Sequence, residues 1–176
     1  MLLFNQNGES DLITLTRNNN PKTQGYSGVL GVLKLTDSKG ETIQLFTKER
    51  PWLPGAKWPY GKPLDSCVKA GDYFLLKLFA PKLNRDEIFL YAPQNGVQAY
   101  KRDRVSPLER YGCVFTTSDP LTCAEGVIQL GTHISHKNAN YELTGCVKAH
   151  KIFRAFIDAN LEETKMTIEW GKSSFI

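Results

Sequence analysis

Along most of this chain apolar residues recur at every second position, in short runs separated by turn residues. Side chains two apart lie on one face of an extended strand, so such runs pack as sheets with one face buried. Val29-Leu30-Gly31-Val32-Leu33-Lys34-Leu35 reads as a strand and Asp37-Ser38-Lys39-Gly40 as the turn after it. Thr42-Ile43-Gln44-Leu45-Phe46 is then the returning strand of a hairpin. Asp72 to Phe79, Glu87 to Tyr91 and Gly126 to Leu130 are further strands, and Lys165-Met166-Thr167-Ile168-Glu169-Trp170 alternates like a closing one. Pro51, Pro54, Pro59 and Pro63 make the stretch from Arg50 to Leu64 an irregular loop, because proline lacks the N–H that a sheet ladder needs.

One stretch follows a different period. Ala149, Ile152, Phe153, Phe156 and Ile157 fall on one helical face, with Lys148, Lys151, Arg154 and Asp158 opposite, which predicts a helix over Val147 to Ala159. The 176 residues suit one domain, with no internal repeat and no linker. The expected fold is therefore mainly β with one C-terminal helix, an α+β domain. Residues 1–24 and 171–176 read as peripheral, and 81–125 as a lid or insertion over the site.

Charge and hydropathy narrow the partners. A net charge of +4, from 22 basic and 18 acidic residues, is mild, and the densest basic cluster, Lys101-Arg102-Asp103-Arg104, has no aromatic ladder beside it. It reads as a solvated turn, and no nucleic-acid partner is expected. The longest apolar runs, such as Tyr73-Phe74-Leu75-Leu76, are too short to cross a bilayer, so no membrane span is expected. The start, Met1-Leu2-Leu3-Phe4-Asn5-Gln6-Asn7, lacks the charged and apolar regions of a Sec signal.

The candidates for chemistry are Cys67, Cys113, Cys123 and Cys146 with His133, His136 and His150. No Cys-x2-Cys pair of the kind a zinc site uses is present, so neither metal nor other cofactor is expected. Cys113 and Cys123 would pair in an oxidising compartment; without a signal, two buried thiols are the expectation. Cys67, ahead of a strand, reads as a structural thiol. Cys146 differs because Thr144-Gly145 precedes it and the helix follows. A thiol at a helix N-terminus feels the positive end of the dipole, which lowers its pKa. A sharp turn at the glycine lets backbone N–H groups converge on an oxyanion. His133 and His136 end a strand upstream and would face the thiol across a cleft, the minimum for a Cys–His pair. The bland alternative is a small buried Cys with two surface His. Counting by twos puts His136 on the face of Ile128, Leu130 and Ile134, while His150 reads as a helix-face residue. Glu49 and Arg50 read as an ion pair fixing the proline-rich loop, or Arg50 as a substrate contact. Trp52, Trp58 and Tyr60 line a groove for sugar or peptide, or pack that loop on itself.

Several blocks carry a resemblance: Leu30-Gly31-Val32-Leu33, Phe46-Thr47-Lys48-Glu49-Arg50-Pro51-Trp52 and Ser66-Cys67-Val68-Lys69-Ala70-Gly71-Asp72-Tyr73, then His136-Lys137-Asn138 and Thr144-Gly145-Cys146-Val147. Over roughly Gly28 to Ile157 they resemble a family of small bacterial and phage proteins known as a domain of unknown function, which implies no activity. More loosely, the order of elements is similar to the L,D-transpeptidase catalytic domain, a β-sandwich or barrel that acts on peptidoglycan with a Cys nucleophile. That resemblance implies Cys146 as nucleophile, His136 or His133 as its base, and the backbone at Thr144 and Gly145 as oxyanion hole. Lys148 stands where that family has a substrate-side Arg. His136 is the favoured base, since it fits the first family through Asn138, while His133 gives a spacing nearer the transpeptidase pattern. Thr144 replaces the His usual there, and the loop between base and nucleophile is shorter. The implied function is cysteine acyl transfer or hydrolysis on peptidoglycan stem peptides. The chain would be cytoplasmic at synthesis, then virion-associated or exported by a non-Sec route. The alternative is a non-catalytic virion or wall-binding module that keeps the fold.

Overall fold

The computed structural model describes residues 12–18, 28–62, 65–81, 83–121, 126–137, 140–160 and 164–172. Strand β1 is Leu12–Arg17, β2 Val29–Thr36, β3 Thr42–Glu49, β4 Gly71–Ala80 and β5 Arg85–Tyr91. Three two-residue strands follow, β6 Val97–Gln98, β7 Arg110–Tyr111 and β8 Phe115–Thr116. Then come β9 Ile128–Gly131, β10 His133–Lys137, β11 Asn140–Thr144, helix α1 Cys146–Ala159 and β12 Lys165–Trp170.

Eight strands form one sheet in the order β5-β4-β12-β1-β2-β3-β9-β8. Its pairs are antiparallel except β1 with β12 and β8 with β9. The sheet curls until its ends meet: Phe89 of β5 bridges Val114 beside β8, and the Leu90 N–H donates to the Cys113 carbonyl at 2.9 Å. The result is a mainly β fold with one C-terminal helix, as the periodicity predicts, and its sheet is a nearly closed barrel.

The alternation explains the closure. Ile13 and Leu15, Leu33 and Leu35, Ile88 and Leu90, Ile128 and Leu130, and Met166 and Ile168 all turn inward to one core. Helix α1 adds Ala149, Phe153, Phe156 and Ile157 to it, and the Phe115 and Phe153 rings lie 4.2 Å apart. Burying each such large apolar side chain is worth about 1.5–3 kcal/mol, so the helix is fastened by its apolar stripe. The hairpin turn has a local cause as well. Asp37 Oδ1 accepts the N–H groups of Lys39 and Glu41, both at 2.9 Å, and Gly40 takes φ +80°. Lys101–Asp103 forms an exposed 3-10 turn, as expected of that basic cluster.

Three expectations are corrected here. The first concerns the peripheral N-terminal segment, because Leu12–Arg17 is an interior strand of the sheet between β12 and β2, with Ile13, Leu15 and Arg17 fully buried. Its partner β12 lies about 150 residues away in sequence, so no local pattern announces the pairing. The second concerns 81–125, read as a lid or insertion: its described residues supply both end strands of the sheet, β5 and β8, and its Phe115 and Cys113 lie in the core. The third concerns Glu49, which pairs with Arg17 and not with Arg50. Neighbours on a strand face opposite ways, so Glu49 points inward while Arg50 does not. The Cys113–Cys123 pairing and Asn138 fall outside the described residues. Among the described residues no helix is long and apolar enough to cross a membrane.

Candidate active site

The site begins at Gly145, which ends β11 and caps α1. It takes φ +66°, and a Cβ there would stand 2.1 Å from Thr132 Oγ1. Backbone conformation and space therefore both require glycine. The first intrahelical bond runs from the Ala149 N–H to the Gly145 carbonyl at 2.9 Å. The N–H groups of Cys146, Val147 and Lys148 come before it and are left for other acceptors. Gly145→Ala is expected to cost about 1–3 kcal/mol from the left-handed backbone, with the Thr132 clash added. Thermal unfolding checks this. Thr132→Ala, made in the same background, should recover the part due to the clash, and an unchanged melting temperature in Gly145→Ala would refute the local geometry.

Cys146 stands half-buried on the first turn of α1. Its thiol donates to the Leu143 carbonyl at 3.5 Å, and Gln129 Nε2 donates to its sulfur at 3.6 Å. Burial pushes the thiol above its ordinary pKa, and hydrogen bonds from the backbone and Gln129 draw it only part of the way back. The lowering expected from the helix dipole is thus outweighed: removing water from around the sulfur penalises the thiolate more than the helix end favours it. At neutral pH Cys146 rests as a protonated thiol.

The two histidines are separated by register. β10 and β11 form a two-stranded hairpin in which His133 faces Thr144 and His136 faces Tyr141. Three residues along a strand span about 10 Å, so His136 lies that much farther out from Gly145-Cys146 than His133 does. His136 stacks on Tyr141, ring centroids 5.0 Å apart. His133 Nδ1 lies 2.9 Å from Thr132 Oγ1, and that hydroxyl also reaches the Thr144 carbonyl at 3.4 Å. If the hydroxyl donates to the carbonyl, it accepts the Nδ1–H, and the Nε2 lone pair stays open. His150 is on another wall, 3.8 Å from Glu87 Oε2.

A cleft of about 700 Å³ opens at the sulfur, lined by Thr117, Gly145, Cys146, Val147, Lys148 and Lys151. Arg50 and Trp52 do not line it. A Cβ on Gly61 would meet the Trp52 ring at 2.6 Å, so that ring packs its own loop, while Arg50 Nη2 donates to the Leu121 carbonyl at 3.5 Å. Tyr60 packs on Gly96, and the buried Arg110 holds the loop through the carbonyls of Ser66, Tyr60 and Lys62. Cys67 is fully enclosed, and burial pushes its thiol up to about 12. Among the described residues no group of three or more His, Cys, Asp or Glu side chains is placed to hold a metal.

Sequence reading missed Gln129, Thr132 and Thr117. Gln129 sits between the core residues Ile128 and Leu130, so alternation alone turns it to the opposite face. What it meets there, the sulfur and the Thr117 carbonyl at 3.3 Å, depends on how α1 docks. No family model, no curated protein and no solved structure matches this chain.

Proposed function

We propose that this protein is a cysteine acyl-transfer enzyme acting on peptide amides of the peptidoglycan stem class, with Cys146 as nucleophile. The observation that carries the reading is the convergence at one sulfur of an open cleft, a buried side-chain amide and a helix start that no side chain caps. In the reaction, Sγ attacks the amide carbon while its proton passes to His133 Nε2. Neither His133 nor His136 lines the cleft, and the β10–β11 register sets His133 nearer to it than His136. The carbonyl pair moves onto oxygen, where Gln129 Nε2 and the first-turn N–H groups of α1 are the available donors. Collapse expels the amine, which takes the proton from the imidazolium and leaves a thioester on Cys146. Water or a second amine, deprotonated by His133, then resolves the thioester. A Thr132 hydroxyl that donates to the Thr144 carbonyl leaves the ring proton on Nδ1 of His133, and this favours His133 over His136 as base.

The raised thiol and Thr144, in the place of a histidine, favour a second reading, a wall- or virion-binding module without chemistry. Incubating native protein and Cys146→Ala with isolated muropeptides and following their masses separates the two. Loss of a terminal residue or formation of a cross-link with the native protein only supports the enzyme. Unchanged masses, with equal pull-down of peptidoglycan by both proteins, support the module.

A further inference from the structure

The cleft at Cys146 continues into a second, of about 570 Å³, and the two share Thr117, Val147 and Lys151. The lining of the second cleft is basic: Lys77, Arg85, His150, Lys151 and Arg154 against Asp86. Three of these cations are already engaged. Asp158 holds Lys77 at 2.6 Å, and the buried Glu87 holds Arg85 at 2.6 Å and Arg154 at 3.1 Å. Burial, outweighing the Glu87 charge, keeps His150 below its ordinary value and so neutral at neutral pH. Lys148 and Lys151 are exposed, line the cleft at the sulfur and enter no ion pair among the described residues. The unneutralised charge of the joined clefts therefore sits on the Cys146 side.

Spacing turns this charge into a ruler. Val147, Lys151 and Arg154 lie three or four positions apart, one stripe of α1. Along the helix axis Lys151 lies about 7.5 Å and Arg154 about 12 Å beyond Cys146. An extended peptide covers about 3.3–3.6 Å per residue, so the distance to Lys151 equals about two residues. We infer that Lys151, the unpaired cation of this stripe, recognises a carboxylate about two residues from the amide that Cys146 attacks, which makes the substrate an acidic peptide. The inference rests on the acyl-transfer reading above and specifies its substrate.

The test needs no turnover. Two blocked pentapeptides of alanine, one with a central Glu and the other with a central Gln, are titrated into ¹⁵N-labelled Cys146→Ala protein. The Glu peptide is expected to bind about threefold more tightly, in line with one exposed ion pair, and to shift the amides of Val147, Lys151 and Arg154. In Lys151→Gln the two peptides should bind alike, and 0.5 M salt should do the same to the Lys151 protein. The iodoacetamide reactivity of Cys146, measured in Lys151→Gln with the thiol intact, reports that the site is still folded. Equal affinity for the two peptides, binding of neither at millimolar concentration, or a Glu preference that survives in Lys151→Gln overturns the inference. A muropeptide assay without turnover overturns the acyl-transfer reading and leaves the titration readable, so the two failures are distinct.

Discussion

Arg17→Met is expected to destabilise the protein by about 3–5 kcal/mol, because it strands a buried carboxylate without its cation. Arg17 and Glu49 are 0% and 1% exposed, and two parallel bonds of 2.8 Å join guanidinium to carboxylate. The Trp170 ring lies 5.3 Å from the guanidinium carbon, and Nη1 has no hydrogen-bond partner among the described residues. Burial works against the charged form, yet neighbouring groups hold the guanidinium above its usual range. Of these, Cys67 is itself raised to about 12 and neutral near pH 7, so Glu49 is the anion that matters there. A loss of that size removes a large share of an ordinary domain's stability. Replacing both partners, as Arg17→Met with Glu49→Leu, should restore most of the loss, since two apolar groups carry no unpaired charge. Urea unfolding of the singles and the double closes the cycle. A single variant costing under about 1 kcal/mol would mean that water reaches the pair.

The second large effect follows from the proposed acyl transfer. Cys146→Ala is expected to lower turnover of a stem-peptide substrate by a factor on the order of 10⁴ or more, the scale seen when a covalent nucleophile is removed. The sign of the pH dependence follows from the raised thiol. A group held above its ordinary pKa is mostly protonated at neutral pH, so alkylation of Cys146 by iodoacetamide should climb steadily through the alkaline range. Its midpoint should lie above that of a free cysteine, about 8.5. Gln129→Ala removes a donor to the sulfur and should move the midpoint higher still. A rate that is already flat from pH 6 to 8 would show a standing thiolate and contradict the hydrogen bonds drawn here. Turnover need not follow the same curve, because in the proposed reaction His133 takes the proton during attack.

How legible the site was depends on distance along the chain. Gly145-Cys146 stood out because its geometry is local: a glycine turn, a helix start and a thiol fall within consecutive positions. The helix face from Ala149 to Ile157 and the strand Lys165–Trp170 were likewise readable from periods of 3.6 and 2. Gln129 and Thr132 were not, since their meaning lies in contacts with residues 12 to 17 positions away. The candidate base was ambiguous for the same reason. His133 and His136 are equivalent by composition, and only the pairing of His133 with Thr144 brings one of them to the foot of the hairpin.

By itself, then, the order of residues determined which segments are extended, which one is helical, and which face of each is apolar, because those properties depend on neighbours within a few positions. Tertiary structure alone decided that β1 would run inside the sheet, that Glu49 would find Arg17, and that segment 81–125 would close the barrel. Each of those outcomes joins residues from distant parts of the chain. Alternation says which side of a strand is buried, but many registers satisfy it equally. The choice among them comes from filling one core without voids and leaving no buried charge unpaired, a condition that the whole chain meets together.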